Sequence, residues 1–254
     1  DLAWKQWKLL PGAEHFSGTL SGSVENGLLT ASMKQAKMPY ETVFRAPLEI
    51  ADGQAIISWL NNDKGFQLDG RNIDVKAKAV HARGGFRYLQ PANDEPWLGI
   101  LAGISTDDGS QAWRYFPENL MGKDLVDYLS GAIQGGEADN ATLVYGGNPQ
   151  LFPYKHNEGQ FEVLVPLRNA KFAFQPDWPA LTNLDIELDF INDGLWMKTD
   201  GVNLGGVRAS NLTAVIPDYS KEKLLIDADI KGPGKAVGPY FDETPLKDSL
   251  GATL

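Results

Sequence analysis

Residues 184–194 read Leu184-Asp-Ile-Glu-Leu-Asp-Phe190-Ile-Asn-Asp-Gly194, and this stretch decides the fold. Leu184, Ile186, Leu188 and Phe190 alternate with Asp185, Glu187 and Asp189. An extended chain therefore puts every aliphatic on one face and every carboxylate on the other. Asn192-Asp-Gly194 then offers the positive φ that a tight hairpin turn needs.

The same period of two recurs on both sides. Phe161, Val163, Val165 and Leu167 alternate with Glu162, Leu164, Pro166 and Arg168. Leu212, Ala214 and Ile216 follow, then Leu224, Ile226, Ala228 and Ile230 against Asp227, Asp229 and Lys231. Further upstream, Ile73, Val75, Ala77 and Ala79 alternate with Asp74, Lys76 and Lys78, and Leu98, Ile100, Ala102 and Ile104 continue the pattern. Each run has one apolar and one polar face, as antiparallel strands with one wet face do. Turns are expected at Glu25-Asn-Gly27, Ala51-Asp-Gly53, Asn62-Asp-Lys-Gly65, Thr106-Asp-Asp-Gly109 and Thr199-Asp-Gly201.

One long helix interrupts the alternation. Pro117-Glu-Asn119 opens it, Gly135-Gly136 closes it, and Leu120, Met121, Leu125, Tyr128, Leu129, Ala132 and Ile133 form its apolar stripe. A second, partial helix is expected from Glu243 to Leu250. The halves are weakly self-similar: Phe16, Leu48-Glu-Ile50 and Arg71-Asn-Ile73 recur in order as Phe161, Leu188-Asp-Phe190 and Ser210-Asn-Leu212. The expected organisation is a β-meander over 1–112, a helical joint over 113–136, and a second meander with the start of a further helix over 137–254. Arg71-Asn-Ile73 and Ser210-Asn-Leu212 are read as strand starts.

Composition excludes several classes. The 254 residues are 43% hydrophobic and 22% charged, enough to fill a core under an ordinary surface. The net charge of −10, with scattered basic residues, argues against a nucleic-acid partner. No run approaches the roughly 18 apolar residues of a membrane span. The ends look cut, so the chain reads as a piece of a longer protein. There is no cysteine, hence no disulfide or thiolate site.

No catalytic residue, metal site or cofactor is expected. The three histidines, His15, His81 and His156, share no metal-binding spacing, and no nucleophile elbow or phosphate loop is present. Glu158, Asp185, Glu187 and Asp189 could supply a glycosidase pair, but alternation assigns the latter three to a wet face. The seven tryptophans, Trp4, Trp7, Trp59, Trp97, Trp113, Trp178 and Trp196, invite a sugar-stacking reading. Trp113 and Trp178 sit beside junctions and read as packing corners.

About a dozen strands with one apolar face exceed what one helix can cover. Two solutions stand open: a closed β-sandwich that binds a glycan or a protein partner, or an open trough whose lining meets a ligand. Long acyl chains suit such a trough. At about 0.8 kcal/mol per CH₂, a lipid of roughly 30 methylenes has on the order of 20 kcal/mol driving it out of water.

A series of landmarks then adds a resemblance. Tyr115-Phe-Pro117, Leu125-Val-Asp-Tyr128-Leu129, Ala132-Ile-Gln-Gly135-Gly136, Leu151-Phe-Pro-Tyr154, Glu158-Gly-Gln-Phe161 and Asp177-Trp-Pro179, with Ile216-Pro-Asp-Tyr219 and Thr244-Pro-Leu246, resemble the AsmA-like family of Gram-negative envelope proteins. The match covers 113–250; residues 1–112 follow by alternation and repeat only. The resemblance implies a mainly β fold with one long and one partial α-helix, in which repeated antiparallel β-meanders form a long curved, taco-like sheet with an apolar groove. It implies a periplasmic segment of an inner-membrane-anchored lipid bridge. Phospholipid would be the partner, and the inner and outer membranes would be reached through other parts of the chain. It transfers no catalytic residue. The segment is expected to be monomeric. The apolar parity nominates the groove lining: Phe161, Val163, Val165, Ile186, Leu188, Phe190, Leu212, Ile226 and Ile230, with Ile73, Val75, Ile100 and Ile104 in the first half.

Overall fold

The computed structural model describes residues 2–6, 12–174, 177–204, 206–221 and 223–233. The expected partial helix at 243–250 and Trp7 lie outside them. Alternation produces long strands: β1 (Leu2–Trp4), β2 (Ala13–Gly22), β3 (Asn26–Met38), β4 (Leu48–Asn62), β5 (Gly65–Ala77), β6 (Val80–Pro91) and β7 (Trp97–Thr106). About two turns of 3-10 helix over Gly109–Tyr115 lead to α1 (Glu118–Met121) and α2 (Lys123–Ala132). Strands β8 (Ile133–Gly147), β9 (Gln160–Phe172), β10 (Leu181–Ile191), β11 (Gly194–Leu204), β12 (Val207–Ile216) and β13 (Leu225–Lys231) complete the chain.

All thirteen strands form one sheet whose spatial order is the sequence order, and every neighbouring pair is antiparallel. The sheet is curved and unclosed, as the taco-like expectation requires. A closed sandwich, the competing expectation, is not what the described residues build: they contain one sheet and no second layer of strands.

Several local expectations are corrected. Gly135-Gly136 does not end the helix, which stops at Ala132 and passes directly into β8. The single long helix is split by Gly122, whose φ of +83° an L side chain adopts only under strain. Ala51-Asp-Gly53 and Thr199-Asp-Gly201 are not turns but lie inside β4 and β11. At the first, the register slips between Ile50 and Asp52, and an added Cβ on Gly53 would stand 3.0 Å from the Met33 side chain. At the second, Thr199 stays opposite Leu212 and Gly201 opposite Ser210 with no slip. Asp-Gly permits a tight turn without requiring one.

Asn72 and Asn211 likewise sit mid-strand at φ of +50°, so Arg71-Asn-Ile73 and Ser210-Asn-Leu212 do not begin strands. Asn169 (φ +49°) and Asn183 (φ +51°) bulge in the same way. Asparagine tolerates this conformation better than most residues, and each bulge bends its strand and increases the local twist. Ala79, counted with the β5 alternation, sits in the β5–β6 turn at φ +58°. Pro166 inside β9 lies opposite a stretch of β8 where pairing is interrupted, between Glu137 and Thr142. That interruption tolerates its missing N–H.

Candidate functional site

Residues directly opposite in an antiparallel pair share a face, so the register can be followed across the sheet. One row runs Ile73, Gly84, Ala102, Leu143, Val163, Phe190, Leu195 and Ile216, from β5 to β12. In the first strands the corresponding row is Gly18, Ala31 and Ala55. Followed this way through β2 to β13, this face carries no Lys, Arg, Asp or Glu. Its polar residues are few, Asn61, Gln90, Thr106 and Thr199 among them.

All thirteen nominated residues fall on this apolar face. Val75 stands between Gly53 and Ala82, Ile100 between Phe86 and Tyr145, and Ile104 between Ala82 and Ala141. Phe161 pairs with Tyr145, and Val165 with Leu188. Ile186 faces Leu167, Leu212 faces Thr199, Ile226 faces Ala214, and Ile230 faces Ala209. Their depth differs greatly. Ile186, Leu188 and Phe190 are 5%, 1% and 5% exposed. Phe161, Val163, Val165, Leu212, Ile73, Val75, Ile100 and Ile104 are half-buried. Ile226 and Ile230 are 54% and 65% exposed.

Side-chain size explains the gradient. From β2 to β7 the middle row is built from small residues, Gly18, Ala31, Ala55, Gly84 and Ala102, with Ile73 of β5 the exception, and is flanked by larger Leu29, Ile57, Phe86, Met33 and Ile104. Small side chains leave most of that row lower than its flanks. From β8 onward the row is Leu143, Val163, Phe190, Leu195 and Ile216, and the space fills. There Leu125, Leu129 and Ala132 of α2 join Leu167, Ala170, Phe172, Leu184, Ile186, Leu188 and Phe190 in one packed cluster. The small residues were not singled out from the sequence. Their signal is a Gly or Ala inside a run of larger apolar residues, as in Leu29-x-Ala31-x-Met33.

One end of the filled half is closed by aromatics. Tyr154 is buried against Tyr145 and Phe152, at ring separations of 5.7 and 5.9 Å, and Phe152 packs on Phe161 at 5.4 Å. Glycine is required around it: a Cβ on Gly147 or Gly159 would approach the Tyr154 ring to 2.9 or 2.6 Å.

A segment after β7 runs along the strand ends and holds α2 in place. Tyr115 donates its hydroxyl to the Lys78 carbonyl (2.5 Å), and the Glu118 N–H donates to the Val43 carbonyl (3.0 Å). The Arg45 guanidinium bridges the Glu118 and Asp127 carboxylates, the latter at 2.7 Å, and Lys123 pairs with Asp127. At the far end Ala173 N–H donates to the Ala132 carbonyl (2.8 Å). These hydrogen bonds hold the Asp127 carboxyl below its ordinary range, Lys123 first and Arg45 second. Tyr128 on α2 has its hydroxyl buried without a partner, and burial pushes its pKa up to about 12.

The opposite face carries the charge. Asp74 accepts from His81 (2.7 Å) and Arg83 (3.0 Å), and these bonds lower its carboxyl pKa, that from His81 most. Asp185, Glu187 and Asp189 alternate onto this face, beside Lys198 and Arg168. Burial, then Glu162 and Glu187 nearby, raises the Asp189 carboxyl. These carboxylates alternate along the single strand β10 and point to one side of it, so they do not face one another. Trp97 and Trp196 are also exposed here, four strands apart, each lying over a glycine, Gly99 and Gly194. Trp59 instead lies on the apolar face and donates to the Ser23 carbonyl at 3.0 Å. No common tryptophan platform forms among the described residues.

Comparison with known proteins fits this geometry. The family model described as YhdP protein matches residues 1–254. The chain is 99% identical, over all 254 residues, to the intermembrane phospholipid transporter YhdP of Escherichia coli (strain K12), of which it spans 20%. No solved structure matches. Among the described residues, no helix is long and apolar enough to cross a membrane.

Proposed function

Since the chain belongs to the YhdP protein family, we propose that it is one segment of a bridge that carries phospholipid between the two membranes of the envelope. The acyl chains lie on the apolar face, and the polar face meets the aqueous periplasm. The carrying observation is that one unclosed sheet keeps an apolar face free of formal charge across β2 to β13. Eleven intervals at about 4.8 Å make that face roughly 50–55 Å long, which suits a conduit better than a single binding pocket. Water is a poor solvent for such a surface, and acyl chains cover it without demanding polar recognition.

In this reading 1–112 and 137–254 are successive meander units and 113–136 is the joint between them. The lining comprises Ile73, Val75, Ile100, Ile104, Phe161, Val163, Val165, Leu212, Ile226 and Ile230. Ile186, Leu188 and Phe190 form its packed wall, in the cluster that includes α2 residues. The segment acts as a monomer and performs no catalysis. Transport supports the outer-membrane barrier, and the membrane anchor belongs to other parts of the relative's length.

Native mass spectrometry of the purified chain, with lipid extraction, tests this. Phospholipid retained on the folded chain is the expected result. A lipid-free chain that also takes up no labelled phospholipid from vesicles contradicts it.

A further inference from the structure

We infer that the segment Gly109–Ala132 is a latch over the groove, held shut by Arg45, and that lipid passes by wedging between α2 and the sheet. The inference rests on the lipid-carrying reading above and concerns how that groove is controlled.

The exposure gradient places the obstacle. An acyl chain on the half-buried face of β5–β7 can continue toward β13 only past β9 and β10. There Leu184 and Leu188 are 0% and 1% exposed, in the cluster that contains Leu125 and Leu129 of α2. A chain inserted between α2 and the sheet leaves both apolar surfaces covered, so the hydrophobic terms nearly cancel. What then holds α2 down is polar: Arg45 to Asp127 on α2 and to Glu118 on α1, Glu118 N–H to the Val43 carbonyl, and Ala173 N–H to the Ala132 carbonyl. The Arg45 and Asp127 side chains keep 28% and 43% of their exposure, and an ion pair this wet is weak. A weak tie suits a latch that must open repeatedly.

One further feature favours opening. The closed seat leaves the Tyr128 hydroxyl buried and without an acceptor. A buried unsatisfied donor is costly, and an ester carbonyl of a passing phospholipid supplies the missing acceptor.

The test uses transfer of fluorescent (NBD-labelled) phosphatidylethanolamine from phosphatidylcholine vesicles to the chain. Because the chain has no cysteine, Val43→Cys/Glu118→Cys forms a unique disulfide between residues already joined by a 3.0 Å backbone hydrogen bond. The oxidised variant is expected to load at least tenfold more slowly than the same variant reduced. Arg45→Ala is expected to load about threefold faster than wild type. A lipid-free readout runs beside these: Arg45→Ala should raise hydrogen exchange of the α2 amides while β4 and β5 stay unchanged. Equal loading of oxidised and reduced forms, with wild type loading normally, overturns the latch and leaves the lipid reading standing. No loading by any form overturns the reading beneath it and the latch with it.

Discussion

Leu188→Asp is expected to unfold the second half of the sheet. Leu188 is 1% exposed and sits between Val165 and Met197, within the cluster that includes α2. Truncation alone at such a site costs about 2–5 kcal/mol. A carboxylate adds several kcal/mol more, because it is buried with no partner. Against a total stability of about 5–15 kcal/mol, that removes most or all of the folded state. Each strand contacts mainly its sequence neighbours, so the damage should be regional. Hydrogen exchange should show protection lost across β8–β12 and retained in β3–β6. Intact protection in β9–β11 would mean that Leu188 is not the centre of a packed wall. From the sequence alone, a charge here would be expected to block lipid and spare the fold. The depth of Leu188 reverses that expectation.

Ile73→Glu should do the opposite: abolish lipid carriage and leave the fold nearly untouched. Ile73 is half-buried, stands opposite Gly84 and lies far from α2 in the chain. In the empty chain its carboxylate can reach water, so the cost to folding is about 1–2 kcal/mol. With acyl chains over it the same carboxylate is desolvated, at several kcal/mol. Each 1.4 kcal/mol is tenfold in occupancy, so retained phospholipid should fall by about tenfold or more. Native mass spectrometry and a denaturation curve on the same sample separate the two effects. Thr142→Glu, on the exposed polar face of β8, should change neither. Undiminished lipid on Ile73→Glu would remove β5 from the lining.

The contrast between these two substitutions shows what the sequence carries. Parity was legible: alternation put Ile73 and Leu188 on one face, and the register joins them through Gly84, Ala102, Leu143, Val163 and Phe190. It held across bulges such as Asn72 and Asn169 because each inserts a residue in the left-handed region and returns the strand to phase. Depth was not legible. Leu188 and Ile230 have the same apolar-between-charged neighbourhood in sequence, yet one is 1% and the other 65% exposed. Burial depends on what curls over a residue, and that is set by α2 and by strands far away in the chain. Asp-Gly at 52–53 and 200–201 misled for a different reason: the pair permits a turn, but pairing with β3 and with β12 keeps it extended. The Arg45 tie was invisible, because its partner Glu118 stands 73 residues away.

Lipid is expected on the apolar face and nowhere else on the sheet. Ile104 and Leu101 test it within one strand. Ile104 is half-buried on the apolar face between Ala82 and Ala141, whereas Leu101 is apolar, 65% exposed and on the opposite face. A photoreactive phenylalanine analogue at each position, irradiated in phospholipid-loaded chain, reports contact directly. Phospholipid adducts are expected at 104 and background at 101, despite the greater accessibility of 101. Adducts of equal yield at both positions, or at 101 alone, would contradict it.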